Sequence, residues 1–176
     1  MRNKGTIGGS LVHADPAADW PAAALALDAT LEIAGPAKRR TIAVGEFFVG
    51  MLETAIRPDE ILVAIRVPMT SASVAYVKTE QKASGFALCG VAAVVDTTAR
   101  SVRIGVTGVS AMPYRARAVE TRLAGKTLTS ELIAQAAQEA AMGADALGDL
   151  HASAEYRAHL AIVNVRRSLE RAARLR

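Results

Sequence analysis

One cysteine stands among 176 residues, so no disulfide can form within the chain and a disulfide-stapled scaffold is excluded. That residue, Cys89, lies between Leu88 and Gly90 with no activating neighbour, and reads as a small buried hydrophobe rather than a nucleophile. Aromatics make up 4% of the chain, so the core is built from Ala, Val, Leu and Ile and its helices pack closely. Three histidines, His13, His151 and His159, are far apart and lack companion Cys or Glu, which argues against a zinc or iron site. No apolar stretch reaches the roughly 18 residues that span a bilayer, because Asp, Arg or Lys interrupts each one. The amino terminus lacks the basic start and continuous apolar run of a signal peptide, and the expected compartment is the reducing cytoplasm. No catalytic triad and no acid–base carboxylate pair is visible; the chain reads as one that holds something rather than cleaves it.

At 51% hydrophobic, the chain has enough apolar residues for one ordinary domain or two small ones. The net charge of +4 comes mostly from Arg157, Arg166, Arg167, Arg171, Arg174 and Arg176. A basic tail invites a nucleic-acid reading, but this stretch is periodic in apolar residues and has no aromatic platform. It reads as the solvated face of a helix, suited to an acidic partner subunit and not to nucleic acid.

Pro16 to Ala29 reads as a short helix with Asp15 or Asp19 as its cap. Thr30–Ile33 and Thr41–Val44 flank Gly35-Pro36 and Lys38-Arg39-Arg40 as a hairpin would, and Gly45 to Leu52 adds a helical turn. Ile61 to Val67 is a strand stopped by Pro68. The small polar segment 69–73 marks a boundary between two modules. Beyond it, Val74–Thr79, Phe86–Val95 and Ser101–Val109 give an antiparallel sheet of three strands. Helices follow at Arg115–Ala124, Ser130–Ala141 and Ala154–Leu175, the last burying Tyr156, Leu160, Val163, Leu169 and Ala173. Strands followed by helices without strict alternation indicate α+β.

The richest stretch is Arg2-Asn3-Lys4-Gly5-Thr6-Ile7-Gly8-Gly9-Ser10-Leu11-Val12-His13-Ala14-Asp15-Pro16-Ala17-Ala18-Asp19. The glycine pair reads as a turn whose backbone N–H groups can approach an anionic diphosphate with no Cβ in the way, or as an ordinary tight turn. Thr6 and Ser10 offer hydroxyls beside it, and Asp19 could accept from sugar hydroxyls, a set that suits a nucleotide. Asp15, ahead of Pro16, is better read as a cap. Lys78 closes the strand Ala75-Tyr76-Val77, where a lone lysine ordinarily faces water.

Residues 2–19 closely resemble the second FAD-binding segment of the flavoprotein (medium) subunit of molybdenum hydroxylases, the carbon monoxide dehydrogenase and xanthine dehydrogenase types. Asp59-Glu60-Ile61-Leu62-Val63-Ala64-Ile65-Arg66-Val67-Pro68, Tyr76-Val77-Lys78 with Ala87 to Val91, and Ser153-Ala154-Glu155-Tyr156-Arg157 agree in order and spacing. The resemblance implies that residues 1–68 are the second part of a PCMH-type FAD-binding domain. Residues 73–176 would be the family's carboxy-terminal domain, a three-stranded antiparallel sheet with a helical bundle. It implies FAD as cofactor, with Thr6, Ile7, Gly8, Gly9 and Ser10 around the diphosphate and Asp19 on polar groups. Leu62 would pack near the flavin, and Lys78 would lie beside the isoalloxazine ring, favouring its reduced form. The implied role is electron transfer, from iron–sulfur clusters on a small subunit through FAD to a terminal acceptor. The resemblance also implies a large subunit whose molybdenum cofactor oxidises the substrate, in a heterotrimer that often pairs as a dimer. The family's other, amino-terminal diphosphate loop has no counterpart here, so half of the FAD envelope is expected to lie outside this chain. The alternative is a binding or assembly module that no longer holds FAD by itself.

Overall fold

The computed structural model describes residues 5–175; Arg2, Asn3, Lys4 and Arg176, named above, lie outside them. The first of two main sheets forms because its central strand alternates apolar and polar residues. In β1 (Thr30–Ala34), Leu31 and Ile33 are fully buried with Leu11, Leu25 and Phe47, while Thr30, Glu32 and Ala34 take the other face. β2 (Arg39–Ala43) and β5 (Ile61–Arg66) pair antiparallel with it, giving the order β2-β1-β5. Glu32 ties the three strands across the solvent face, bonded to Arg39 and to Arg66 at 2.8 Å each. Between β2 and β5, where a helical turn was expected, the chain makes a 3-10 turn (Val44–Glu46) and a ribbon of β3 (Phe48–Gly50) and β4 (Glu53–Thr54). Phe47 and Phe48 meet edge to face at 5.3 Å, both buried in the first core.

The second sheet has the order β6-β7-β8-β9, all antiparallel, with β6 at Ser73–Glu80, β7 at Ala87–Asp96, β8 at Ser101–Thr107 and β9 at Tyr114–Arg115. On one face Cys89, Val91, Ala93, Val95, Ile104 and Val106 pack on α3 (Arg117–Leu123), α4 (Ser130–Ala137) and α5 (Ala154–Ala172). The α+β architecture is as expected, with one correction: the sheet has a fourth strand, β9 (Tyr114–Arg115), where a helix start was read. Arg115 is held extended because its guanidinium reaches Glu120, at 2.6 and 3.0 Å, and Asp28. A second correction concerns α5, whose buried face runs through Arg157, Leu160, Asn164, Val165, Ser168, Leu169 and Ala172 and leaves Tyr156 exposed. Ser153 and Thr129 cap α5 and α4, accepting from the amides of Tyr156 and Leu132.

Two helices near the amino terminus depart from the reading. Ile7–His13 forms α1, so the glycine pair sits in a helical first turn and not in a loop. The next helix, α2, spans Trp20–Ala26, with residues 14–19 irregular ahead of it. It lies between the sheets: Ala24 and Leu25 join the first core, while Ala22 and Ala26 pack on Ala92 and Val94 of the second sheet's other face. Gly105 permits this approach, since a Cβ there would come within 2.1 Å of the Ala22 carbonyl oxygen. Arg103 and Arg115 donate to the terminal carbonyls of Ala26 and Leu25, at 3.0 and 3.1 Å, and both pair with Asp28. Among the described residues no helix is long and apolar enough to cross a membrane.

Candidate functional site

Thr6 organises the start of α1. It is extended, and its hydroxyl accepts from the Gly9 amide at 3.0 Å, so this side chain is an N-cap rather than a free ligand group. A Cβ at Gly9 would press on that hydroxyl at 3.0 Å, which explains the glycine. Gly8 has no such internal reason: its conformation is helical, and a Cβ would meet nothing closer than Leu62, at 3.9 Å. A glycine in a helix costs about 1 kcal/mol relative to alanine, so a small residue here fits close approach by something outside the chain. The amides of Ile7 and Gly8 have no acceptor within the helix. Ile7 is exposed and Ser10 half-buried, so Thr6, Ile7, Gly8, Gly9, Ser10 and Leu62 form one neighbourhood.

Asp19 forms a second. It occupies the residue before α2, yet its side chain makes no capping bond, and Asp15 instead accepts from the Ala17 amide at 2.8 Å in a local turn. One Asp19 oxygen accepts from Lys78 Nζ at 3.0 Å and the other from the Tyr76 hydroxyl at 2.5 Å. Lys78 lies within β6 and also donates to the Gly85 carbonyl at 2.9 Å, which leaves it 21% exposed rather than free in water. Burial, and then the Asp19 carboxylate, push the Tyr76 phenol well above its ordinary value, so it stays a donor. Gly90 makes room for it, since a Cβ there would lie 2.3 Å from the Tyr76 oxygen.

Backbone bonds fix this pair. The segment between α1 and α2 is fastened to the second sheet where Gly108 donates to Pro16 at 2.8 Å. The Thr107 hydroxyl lies 2.9 Å from the Pro16 carbonyl and 2.8 Å from that of Ala18. Beneath the same corner, Arg157 donates to the carbonyls of Leu88 and Gly108, at 2.9 and 2.6 Å, and to Asp149 at 2.6 Å. That guanidinium holds the Asp149 carboxyl down at about 2.

The structure thus brings Asp19 to Lys78 and Gly8 to Leu62; among the described residues no hydrogen bond joins the two sets. Sequence reasoning missed Tyr76, whose signal was its place two residues before Lys78 on one strand face. His13 is exposed at the end of α1, and no cluster suited to a metal ion occurs among the described residues. Cys89 is buried, its thiol pushed up to about 12 chiefly by burial, which suits the inert reading.

Residues 1–70 match the family described as FAD binding domain in molybdopterin dehydrogenase, and residues 74–172 match the CO dehydrogenase flavoprotein C-terminal domain. The chain belongs to the FAD-subunit family of the molybdenum hydroxylases. Within that family it is 34% identical to the carbon monoxide dehydrogenase medium chain of Hydrogenophaga pseudoflava, over 98% of this chain and 62% of the relative. It is also 34% identical to the nicotine 6-hydroxylase medium subunit of Paenarthrobacter nicotinovorans, covering 96% of this chain and 61% of that one. The solved carbon monoxide dehydrogenase from Hydrogenophaga pseudoflava superimposes with a TM-score of 0.92 at 36% identity, over 97% of this chain and 61% of that structure's chain. Quinoline 2-oxidoreductase from Pseudomonas putida 86 gives 0.90 at 30% identity, covering 98% and 62%. The chain therefore spans about three fifths of the length of these relatives.

Proposed function

We propose that this chain supplies one wall of an FAD site in an electron-transfer subunit of a molybdenum hydroxylase complex. The observation that carries the reading is the Asp19–Lys78 pair: two candidate residues 59 positions apart, one in each matched family segment, meet at 3.0 Å. FAD, when bound, supplies an isoalloxazine that takes up and hands on electrons. The chain's own part is to bind and orient. The α1 amides and Gly8 suit the diphosphate, Asp19 keeps lone pairs for hydroxyl donors, and Leu62 gives an apolar neighbour. Lys78, fixed by Asp19 and Gly85, places a positive charge where negative charge accumulates on reduction. Residues 1–68 and 73–176 would act as the two family domains. The partners are an iron–sulfur small subunit and a molybdopterin large subunit, in a heterotrimer that pairs as a dimer and works in the cytoplasm.

The test is absorbance in the flavin band after FAD addition and desalting. Retention should fall roughly tenfold in affinity for Lys78→Met, the loss of one charge-assisted hydrogen bond. Absence of retained flavin, in the chain alone and when joined to the remaining two fifths of a relative, would overturn the reading and leave the assembly module.

A further inference from the structure

Lys78 does not stand as a bare positive charge. Asp19 approaches its Nζ at 3.0 Å and Glu80 at 3.6 Å, so two carboxylates face one ammonium and the cluster sums to a net negative charge. That sum opposes the role proposed for Lys78, because a flavin gains negative charge on reduction and is reduced more readily beside positive charge. One neutral group offsets it. The Tyr76 hydroxyl donates, at 2.5 Å, to the Asp19 oxygen that Lys78 does not use, and a donor on a carboxylate draws off part of its charge. Tyr76 and Lys78 are alternate residues of β6 and share a face, which brings both to Asp19.

The fold keeps a glycine for this phenol. Gly90 is interior to β7 and opposite Lys78 in the ladder, a place where glycine weakens a strand. Its φ is not positive, so the position needs room rather than conformational freedom; a Cβ would lie 2.3 Å from the Tyr76 oxygen and 2.9 Å from Thr107 Cγ2. We propose that Tyr76 is a positioning residue of the flavin site: its phenol holds the Asp19 carboxylate and shares its charge, so that the field of Lys78 favours reduced over oxidised flavin. This deepens the FAD reading and rests on it.

The experiment titrates the chain, without oxygen, with oxidised FAD and with dithionite-reduced FAD, and takes the ratio of the two dissociation constants. Where the chain alone binds neither form, the chain joined to the remaining two fifths of a relative is used, as for flavin retention. Tyr76→Phe should lower the preference for reduced FAD roughly tenfold, equivalent to a fall of about 30 mV in two-electron potential. Asp19→Asn should raise that preference, and in its background Tyr76→Phe should do nothing, since no charge is left to share. Tyr156→Phe, at an exposed tyrosine, should change neither constant. Without FAD, the carbon-13 signal of the Tyr76 ring ζ-carbon should move on Asp19→Asn and stay on Asp15→Asn; this arm keeps the native phenol and decides the contact even if Tyr76→Phe does not fold. Equal loss of affinity for both forms in Tyr76→Phe, the same change in both backgrounds, or a ζ-carbon signal indifferent to Asp19 would each refute the role of Tyr76 and leave the flavin reading standing. Neither form bound by either protein sinks the flavin reading, and this role with it.

Discussion

Gly105→Ala tests whether α2 is truly seated on the second sheet. The new methyl would lie 2.1 Å from the Ala22 carbonyl oxygen, 2.9 Å from its carbon and 3.2 Å from its Cα, all backbone atoms that no rotamer change can move. Restoring an ordinary contact requires α2 and β8 to part by about 1.3 Å, which opens the Ala22–Ala26–Ala92–Val94 cluster. Alanine in a strand would by itself gain about 0.5–1 kcal/mol over glycine. Overpacking against fixed backbone costs about 3 kcal/mol, so the net sign is destabilising. For a chain of this length the expected fall in melting temperature is about 6 °C, read by circular dichroism with urea titration as a check. Gly45→Ala, where nothing lies within 4 Å, is the control and should change little. If Gly105→Ala melts within a degree of the parent, the close seating of α2 is wrong. Because Asp19 precedes α2 directly, the same variant should also weaken any FAD retention.

Other outcomes follow from single contacts. Arg157→Met leaves the carbonyls of Leu88 and Gly108 and the Asp149 carboxylate without their donor, and should cost about 3 kcal/mol in a urea melt. Glu60 and Asp149 are both held at about 2, by Arg40 and Arg157 respectively. Their folded values lie below the unfolded ones, so their stabilisation is complete above about pH 4.5 and is lost as pH falls toward 2; ellipticity against pH would show this, and Glu60→Gln should flatten it. Native protein at pH 8 should leave Cys89 unmodified by a thiol reagent, with full reaction after unfolding.

The second sheet and α5 were legible because long apolar alternation and a capped helical repeat are local signals. The fourth strand was not, since Tyr114–Arg115 is held by Glu120 and Asp28, partners that no local pattern reveals. α1 was missed because two glycines outweigh the cap signal of Thr6 and the buried anchor Leu11. Arg157 reads as a surface charge by type, yet it is buried because two carbonyls and a carboxylate converge on it. Asp19 was picked out from the glycine-rich stretch itself and Lys78 through the resemblance, but their pairing depends on how the segment before α2 is fastened to Thr107 and Gly108.

The position of α2 bears on how the molecule comes apart. Its four alanines and one leucine are divided between two cores, so the boundary at residues 69–73 separates sequence motifs without separating stability. Cleaving the backbone there would not release two self-sufficient pieces; each would carry half of an apolar seam. The chain should therefore melt in one cooperative transition, and mutations on either side of the seam should be felt by both sheets.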